Sequence, residues 1–491
     1  MMASDDDVEK LGCKKICHAC VGEEFLSTEI SQDGRLLKCS FCGTPKARCY
    51  KLDQMADRID TAFERHYVRT SDQPNDWEYT LCGDKESTFD FDRHGEPVVY
   101  AIMNAADIPE QAARDIQAIL EERYSDYEAD KMGDETAFAD DSHYEERRLS
   151  DRQWQEQWYS FQRSLKTDAR FFNEDGARLL RSVFTNLDQY EAEGGKPLIV
   201  KAGPDTEYAA IFRARTFQSD ERLEAAMENA AAEFGSPPPR FAASGRMNAH
   251  GISVFYGATS PEVALAEVRP PVGSQVAVAR FEIIRPLRLL DLTALGETSL
   301  SLGSVFDTTL ADRIEHQKFL RSLRSHMTRP VMPDDEAIEY LATQAVADFL
   351  ATSDLKLDGI IFPSVQYSDG AQNIVLFHKA ARVEKLVRPH GSKVSASLGS
   401  STEDGWEPHY SISERIPVSQ TNKPSYEFNS RWRDSWAPDL DERDPALRID
   451  RQSLVVHVIG AVKFQTDANK VHWNVHEIPM EEKQPHSDDD F

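Results

Sequence analysis

Residues 240–270, RFAASGRMNAHGISVFYGATSPEVALAEVRP, constrain the fold more than any other stretch of this chain. Gly245, Asn248 and Gly251 break the backbone ahead of Ile252–Tyr256, whose β-branched and aromatic content reads as a strand. Ser260 before Pro261 has the chemistry of a helix start, an N-cap followed by a first-turn proline. The helix must stop early, because Arg269 precedes Pro270 and Pro271. Within it Glu267 sits in the apolar run Val-Ala-Leu-Ala-Glu-Val, where a carboxylate is costly unless paired or used. A loop, a strand and a helix this short must fold back on one another. Arg246, Tyr256 and Glu267 can thereby meet in one cleft.

At 491 residues the chain has room for two to four domains with their own cores. Its formal charge of −28 disfavours strong nucleic-acid binding, which needs a basic surface, and suits a basic protein partner. No apolar run approaches a membrane span, and the N-terminal MMASDDDVEK is the opposite of a signal peptide. Seven cysteines, an odd number crowded toward the N-terminus, argue against a secreted disulfide framework. A cytoplasmic protein is expected.

Cys17 and Cys20 form one CxxC knuckle, Cys39 and Cys42 another, eighteen residues apart. That spacing predicts one tetrahedral, structural zinc, since four thiolates leave no open position for catalysis. Between the knuckles, Phe25–Ile30 and Arg35–Lys38 around Gln32-Asp33-Gly34 predict a hairpin. Residues 1–50 are therefore expected to form a zinc ribbon. Residues 51–195 read as helical: Met55, Ile59 and Phe63 recur every fourth residue, as do Trp154 and Trp158, with Phe161 and Leu165 following. A further helix is expected to open at Asp107 and Pro109, with Ala112, Ile116, Ile119 and Leu120 on one face. Residues 121–150, with eleven acidic and four basic side chains, predict an exposed, partly flexible connection.

Residues 196–385 mix the two element types. Strands are expected at 208–212, 252–256, 276–284, 359–362 and 374–377, and helices at 220–233, 261–268, 308–326 and 334–352. No phosphate loop or dinucleotide fingerprint occurs. Residues 386–491 are expected to be a Ser/Gly-rich linker (391–401), a polar stretch, a strand pair (453–464 with 471–478) and a loose charged end.

The pieces Phe212-Arg213, Gly245-Arg246, Val254-Phe255-Tyr256 and Ala264-Leu265-Ala266-Glu267, followed by DGIIFPS (358–364) and NIVLF (373–377), resemble the RES domain family. The steps of ten and eleven residues from Arg246 to Tyr256 to Glu267 look like the family's own. Met247 departs from the pattern, in which an aromatic residue commonly follows the arginine. The resemblance covers residues 196–385. It implies an α+β fold similar to ADP-ribosyltransferases, and consumption of NAD: by phosphorolysis with inorganic phosphate as co-substrate, by hydrolysis, or by ADP-ribosyl transfer to a protein. It also implies a toxin, or a phage-defence effector, restrained by an antitoxin or other regulatory protein; a homo-oligomer is compatible with it. The N-terminal region resembles the zinc-ribbon and HEPN-like regions of longer RES proteins. No Arg-x4–6-His pattern of HEPN nucleases occurs before residue 196; Arg321-x4-His326 fits it but lies inside the RES-like part, which disfavours a nuclease.

In the NAD reading, Glu267 stabilises positive charge developing on the ribose. Arg213 and Arg246 hold pyrophosphate or phosphate through bidentate contacts. Tyr256 offers a face to nicotinamide and a hydroxyl to the substrate, Ser364 orients ribose or phosphate, and Asn373 supports it. Ser364 lacks a G-x-S-x-G elbow and a tied histidine, which disfavours an esterase; His250 and His378 are expected to be structural. The alternative of another class is a zinc-ribbon interaction protein with a dead RES-like part.

Overall fold

The computed structural model describes residues 5–83, 89–367, 370–403, 405–417, 441–463, 466–474 and 476. The expected loose end at 481–491 lies outside them. The fold is α+β.

The N-terminal part opens with a three-stranded sheet, Lys15–Cys17, Arg35–Leu37 and Ala47–Lys51, and carries four helices used below. These are α1 (Glu24–Asp33), α2 (Leu52–His66), α3 (Val98–Ala106) and α4 (Glu110–Arg123). The hairpin expected between the cysteine pairs is instead α1 followed by a strand. Glu23 caps its first turn by accepting from the Leu26 amide (2.7 Å), and Leu26 and Ile30, four apart, are both fully buried. Burial at helical spacing decides the conformation where the turn residues suggested a hairpin. Met55, Ile59 and Phe63 of α2 face the same core as Ile102, Ile116 and Leu120. Asp107 does not open α4; it is the left-handed C-cap (φ 47°) of α3, and Pro109 alone precedes α4. Residues 121–150 are largely exposed, as expected, but they are not a loose connection. Strand His143–Glu146 pairs with Tyr67–Arg69, and Phe138 and Tyr144 stack in this core at 5.4 Å between centroids.

Helices α5 (Arg152–Thr167) and α6 (Glu174–Val183) leave that core and join the next one. Trp158, Phe161 and Leu165 pack with Leu180 and Val183 against α8 (Leu310–Thr328), α9 (Glu336–Thr352) and one face of a large sheet. That sheet has nine strands: β1 (Ile199–Ala202), β2 (Ala210–Phe217), β3 (Phe255–Ala258), β4 (Gln275–Ile283), β5 (Leu287–Asp291), β6 (Gly359–Pro363), β7 (Gln372–Leu376), β8 (Leu447–Ile449) and β9 (Val455–Val458). Their order is β8-β4-β2-β3-β7-β6-β5-β1, with β9 also on β4, and only β5–β6 is parallel. The opposite face is covered by Leu223, Met227 and Phe234 from residues 220–234.

The C-terminal expectations need two corrections. Residues 391–401 are not a linker, since Lys393–Thr402 pairs with Gly405–Arg415 in an antiparallel hairpin. Leu398 and Ala396 pack it onto the sheet's core, which a flexible Ser/Gly segment would not do. Val455–Val458 pairs with β4 rather than with 471–478, whose described residues hold no strand. An open edge of β4 offers more backbone partners than a hairpin with a polar segment.

Candidate active site

The site is assembled where the short helix α7 (Pro261–Glu267) crosses the sheet. Ser260 caps it as expected, accepting from the Val263 amide at 3.3 Å. Val263 and Ala264 pack on Ala258, Val276 and Val278, which seats α7 over β3 and β4. The last residue of α7 is Glu267. Ser364, just beyond β6, donates to its Oε1 at 2.6 Å, and the Asn373 side-chain amide on β7 donates to the same oxygen at 2.7 Å. Among the described residues no protein group bonds Oε2. One oxygen of the carboxylate is thus fixed and the other left for a ligand. Donors 97 and 106 residues downstream thus converge on this one charge.

A cleft of about 350 Å³ opens beside Glu267, within the size range of small-molecule sites. Arg213 of β2, Arg246 and Tyr256 of β3 line it together with Phe362, Pro363 and Asn373. Arg213 stacks on the Phe255 ring at 4.9 Å, and its buried Nη1 meets no protein acceptor. Burial pushes its pKa down to about 10, and Arg215 pushes the same way, yet it stays a cation at neutral pH. A buried, unsatisfied guanidinium nitrogen in a cleft calls for an anion.

Arg246 sits on the loop before β3. Its Nη1 donates to the carbonyls of Arg329 (2.8 Å) and Met327 (3.3 Å), and its guanidinium lies 4.9 Å over the Tyr340 ring. Helix α9 clamps the loop from behind: Thr343 donates to the Arg246 carbonyl at 2.6 Å and Gln344 to that of Gly245 at 2.8 Å. The Tyr256 hydroxyl is spent on the same loop, donating to Asn248 Oδ1 (2.9 Å) and accepting from the Met247 amide (3.0 Å). Burial pushes its pKa up to about 12, so it remains a neutral phenol. A Cβ at position 245 would meet the Tyr256 hydroxyl and Asn248 Oδ1 at 2.7 Å, so a larger residue there has to displace that hydrogen-bonded pair. Tyr256 therefore gives the cleft a ring face, while its hydroxyl serves the arginine loop.

All six expected residues meet at this site, although Ser364 reaches the cleft only through Glu267. Lining residues not read as site residues from the sequence include Thr328, Tyr340 and Arg269. His250 and His378 do not line it, and His378 Nδ1 instead lies 3.0 Å from the Ser253 carbonyl. Arg321 and His326 are also otherwise engaged, with the Thr298 carbonyl and Gln155. They form no joint site.

The family model described as RES domain matches residues 212–398, from the start of the Arg213 segment through the cleft and into the hairpin that follows. These residues form a RES domain. The match takes in well under half of the chain and leaves the cysteine cluster outside it. A search of curated proteins finds no match.

Upstream of the RES domain, the four cysteine sulfurs lie within 4.8 Å of one another. The separations are 3.7 Å for Cys17–Cys20, 3.6 Å for Cys17–Cys42 and 3.9 Å for Cys20–Cys39. Four thiolates about 2.3 Å from one zinc stand about 3.8 Å apart at the corners of a tetrahedron. Cys17, Cys20, Cys39 and Cys42 fit that group, which would tie the first strand to the 39–42 turn. The cluster is compatible with a zinc ribbon. No helix among the described residues is long and apolar enough to cross a membrane.

Proposed function

We propose that this chain cleaves the bond between nicotinamide and ribose in NAD, with inorganic phosphate as acceptor. The reading rests on the RES domain match and on one observation above all. Glu267 offers a single free carboxylate oxygen in a cleft that also holds a buried cation without a protein partner. As the C–N bond breaks, its electron pair leaves with neutral nicotinamide and positive charge grows on the ribose. The fixed carboxylate opposes that charge without needing to reorganise. Arg213 holds the pyrophosphate, and the Tyr256 face packs against the nicotinamide ring. A phosphate oxygen then bonds to the anomeric carbon, giving ADP-ribose 1″-phosphate. Two arginines beside one carboxylate suit an anionic acceptor better than water.

Such an enzyme depletes NAD and acts as a toxin or phage-defence effector, restrained by a partner protein or by its own flanking regions. Purified protein incubated with NAD, with and without phosphate, decides the chemistry by chromatography. ADP-ribose 1″-phosphate formed only with phosphate is the expected product. Free ADP-ribose at full rate without phosphate makes it a glycohydrolase, and a labelled protein makes it an ADP-ribosyltransferase. Intact NAD under every condition, including phage challenge of expressing cells, leaves the zinc-ribbon interaction protein.

A further inference from the structure

The cleft contains a third arginine for which the reading above has no task. Arg269 stands two residues beyond Glu267 and lines the same cleft as Arg246 and Tyr340. Unlike Arg213 it is exposed, at the mouth rather than the floor. Its backbone is left-handed, with φ 43°, a conformation that non-glycine residues avoid and that gathers at binding sites. The turn is pinned on both sides. Its amide donates to the Ala266 carbonyl at 3.1 Å, and Pro270 and Pro271 follow. Among the described residues, no hydrogen bond or ion pair engages the guanidinium. Arg246, by contrast, has already given Nη1 to two carbonyls.

Charge gives this position a purpose. An anionic acceptor that reacts at a ribose beside Glu267 is repelled by its carboxylate. A cation at the mouth, on the same turn as that carboxylate, offsets the repulsion and concentrates the acceptor where it is needed. A rim site also suits a ligand that exchanges with solvent in each turnover, whereas a buried site suits the part of NAD that stays bound. We propose that Arg269 is the acceptor-binding residue, capturing inorganic phosphate at the cleft mouth beside Glu267, while Arg213 serves NAD. This rests on the phosphorolysis reading.

The test varies phosphate and NAD independently in steady-state kinetics of the full chain. In R269Q the KM for phosphate is expected to rise about tenfold to a hundredfold, the cost of one charge-assisted contact, with the KM for NAD within about twofold. R269K should fall between. R269G supplies a control on folding: glycine accepts φ 43° freely, so its melting temperature should equal or exceed the parent's while phosphate affinity falls as in R269Q. An unchanged phosphate KM in R269Q and R269G, or an equal rise in both KM values, overturns the assignment. The two levels separate cleanly. Phosphate-independent cleavage by the parent protein defeats the phosphorolysis reading and this one with it; phosphate-dependent cleavage that the Arg269 variants leave untouched defeats this one alone.

Discussion

Glu267 has two chemically unequal oxygens, and the inequality is built by Ser364 and Asn373. Both donate to Oε1, so a glutamine at 267 can keep both bonds through its carbonyl oxygen and present only an amide to the cleft. E267Q thus removes the ionic contribution while leaving the scaffold. Turnover is expected to fall about 10²–10³-fold, with NAD binding changed far less, as measured by kcat and by the dissociation constant of NAD. An equal loss in binding would show that the carboxylate holds ground-state substrate instead. The site was largely legible in the sequence, because Arg246, Tyr256 and Glu267 lie within one stretch of 31 residues that has little freedom to fold otherwise. What stayed hidden was division of labour. Nothing in a sequence says that the Tyr256 hydroxyl is consumed by Asn248, or that Ser364 turns toward a carboxylate. Arg269 escaped because its relevance depends on a left-handed turn, and Tyr340 because its helix reads only as a core former.

At the scale of elements, α8 links the cleft to the aromatic core around α5. His316 lies against Trp154 (4.9 Å) with Nε2 2.9 Å from the Val183 carbonyl, and His326 lies against Trp158 (5.6 Å) with Nε2 3.0 Å from Gln155 Oε1. Burial lowers the pKa of both below the ordinary histidine value. The unfolded chain, with histidines near 6.5, then binds more protons than the folded one at mildly acidic pH. Their contribution to stability is complete above that value and is lost as pH falls through the folded pKa values. The melting temperature is expected to drop between pH 7.5 and 5.5, and H316Q/H326Q should flatten that drop. A profile as steep in the double variant would place the acid sensitivity elsewhere. The Trp154–Leu165 stripe was readable as a buried helical face, but not which core would receive it. Periodicity reports that a face is covered, never by what. The same limit explains the errors at 24–33 and 391–401. Composition there suggested turn and linker, and partners distant in sequence made a helix and a strand.

Across the whole molecule, the N-terminal part grips the RES domain at the segment that opens α8. Phe306, 2% exposed, is buried among residues of the N-terminal core. Arg58 donates to its carbonyl at 2.8 Å and is held by Glu29 of α1 at 2.6 Å; Arg65 donates to the Thr308 carbonyl at 2.6 Å. At the far end of α8, the Met327 and Arg329 carbonyls hold Arg246 in the cleft. A helix therefore joins the core beside the cysteine cluster to an arginine that lines the cleft. Truncating a buried phenylalanine typically costs about 3–5 kcal/mol, and in F306A the loss falls on the contact between the two parts. The RES domain keeps its own core, so F306A is expected to stay folded and to retain metal while NAD cleavage weakens through a raised KM. With zinc held by the four cysteines, a chelator should loosen the same grip from the other side, lowering the melting temperature of the N-terminal part and moving KM in the same direction. Metal content, melting curves and kinetics on the same samples provide the check. If F306A loses half or more of its affinity for NAD while R246A/F306A is no worse than R246A, the path runs through Arg246. If F306A and the metal-free protein both cleave NAD with parental constants, the N-terminal part is a passenger on the RES domain and its role lies with a partner.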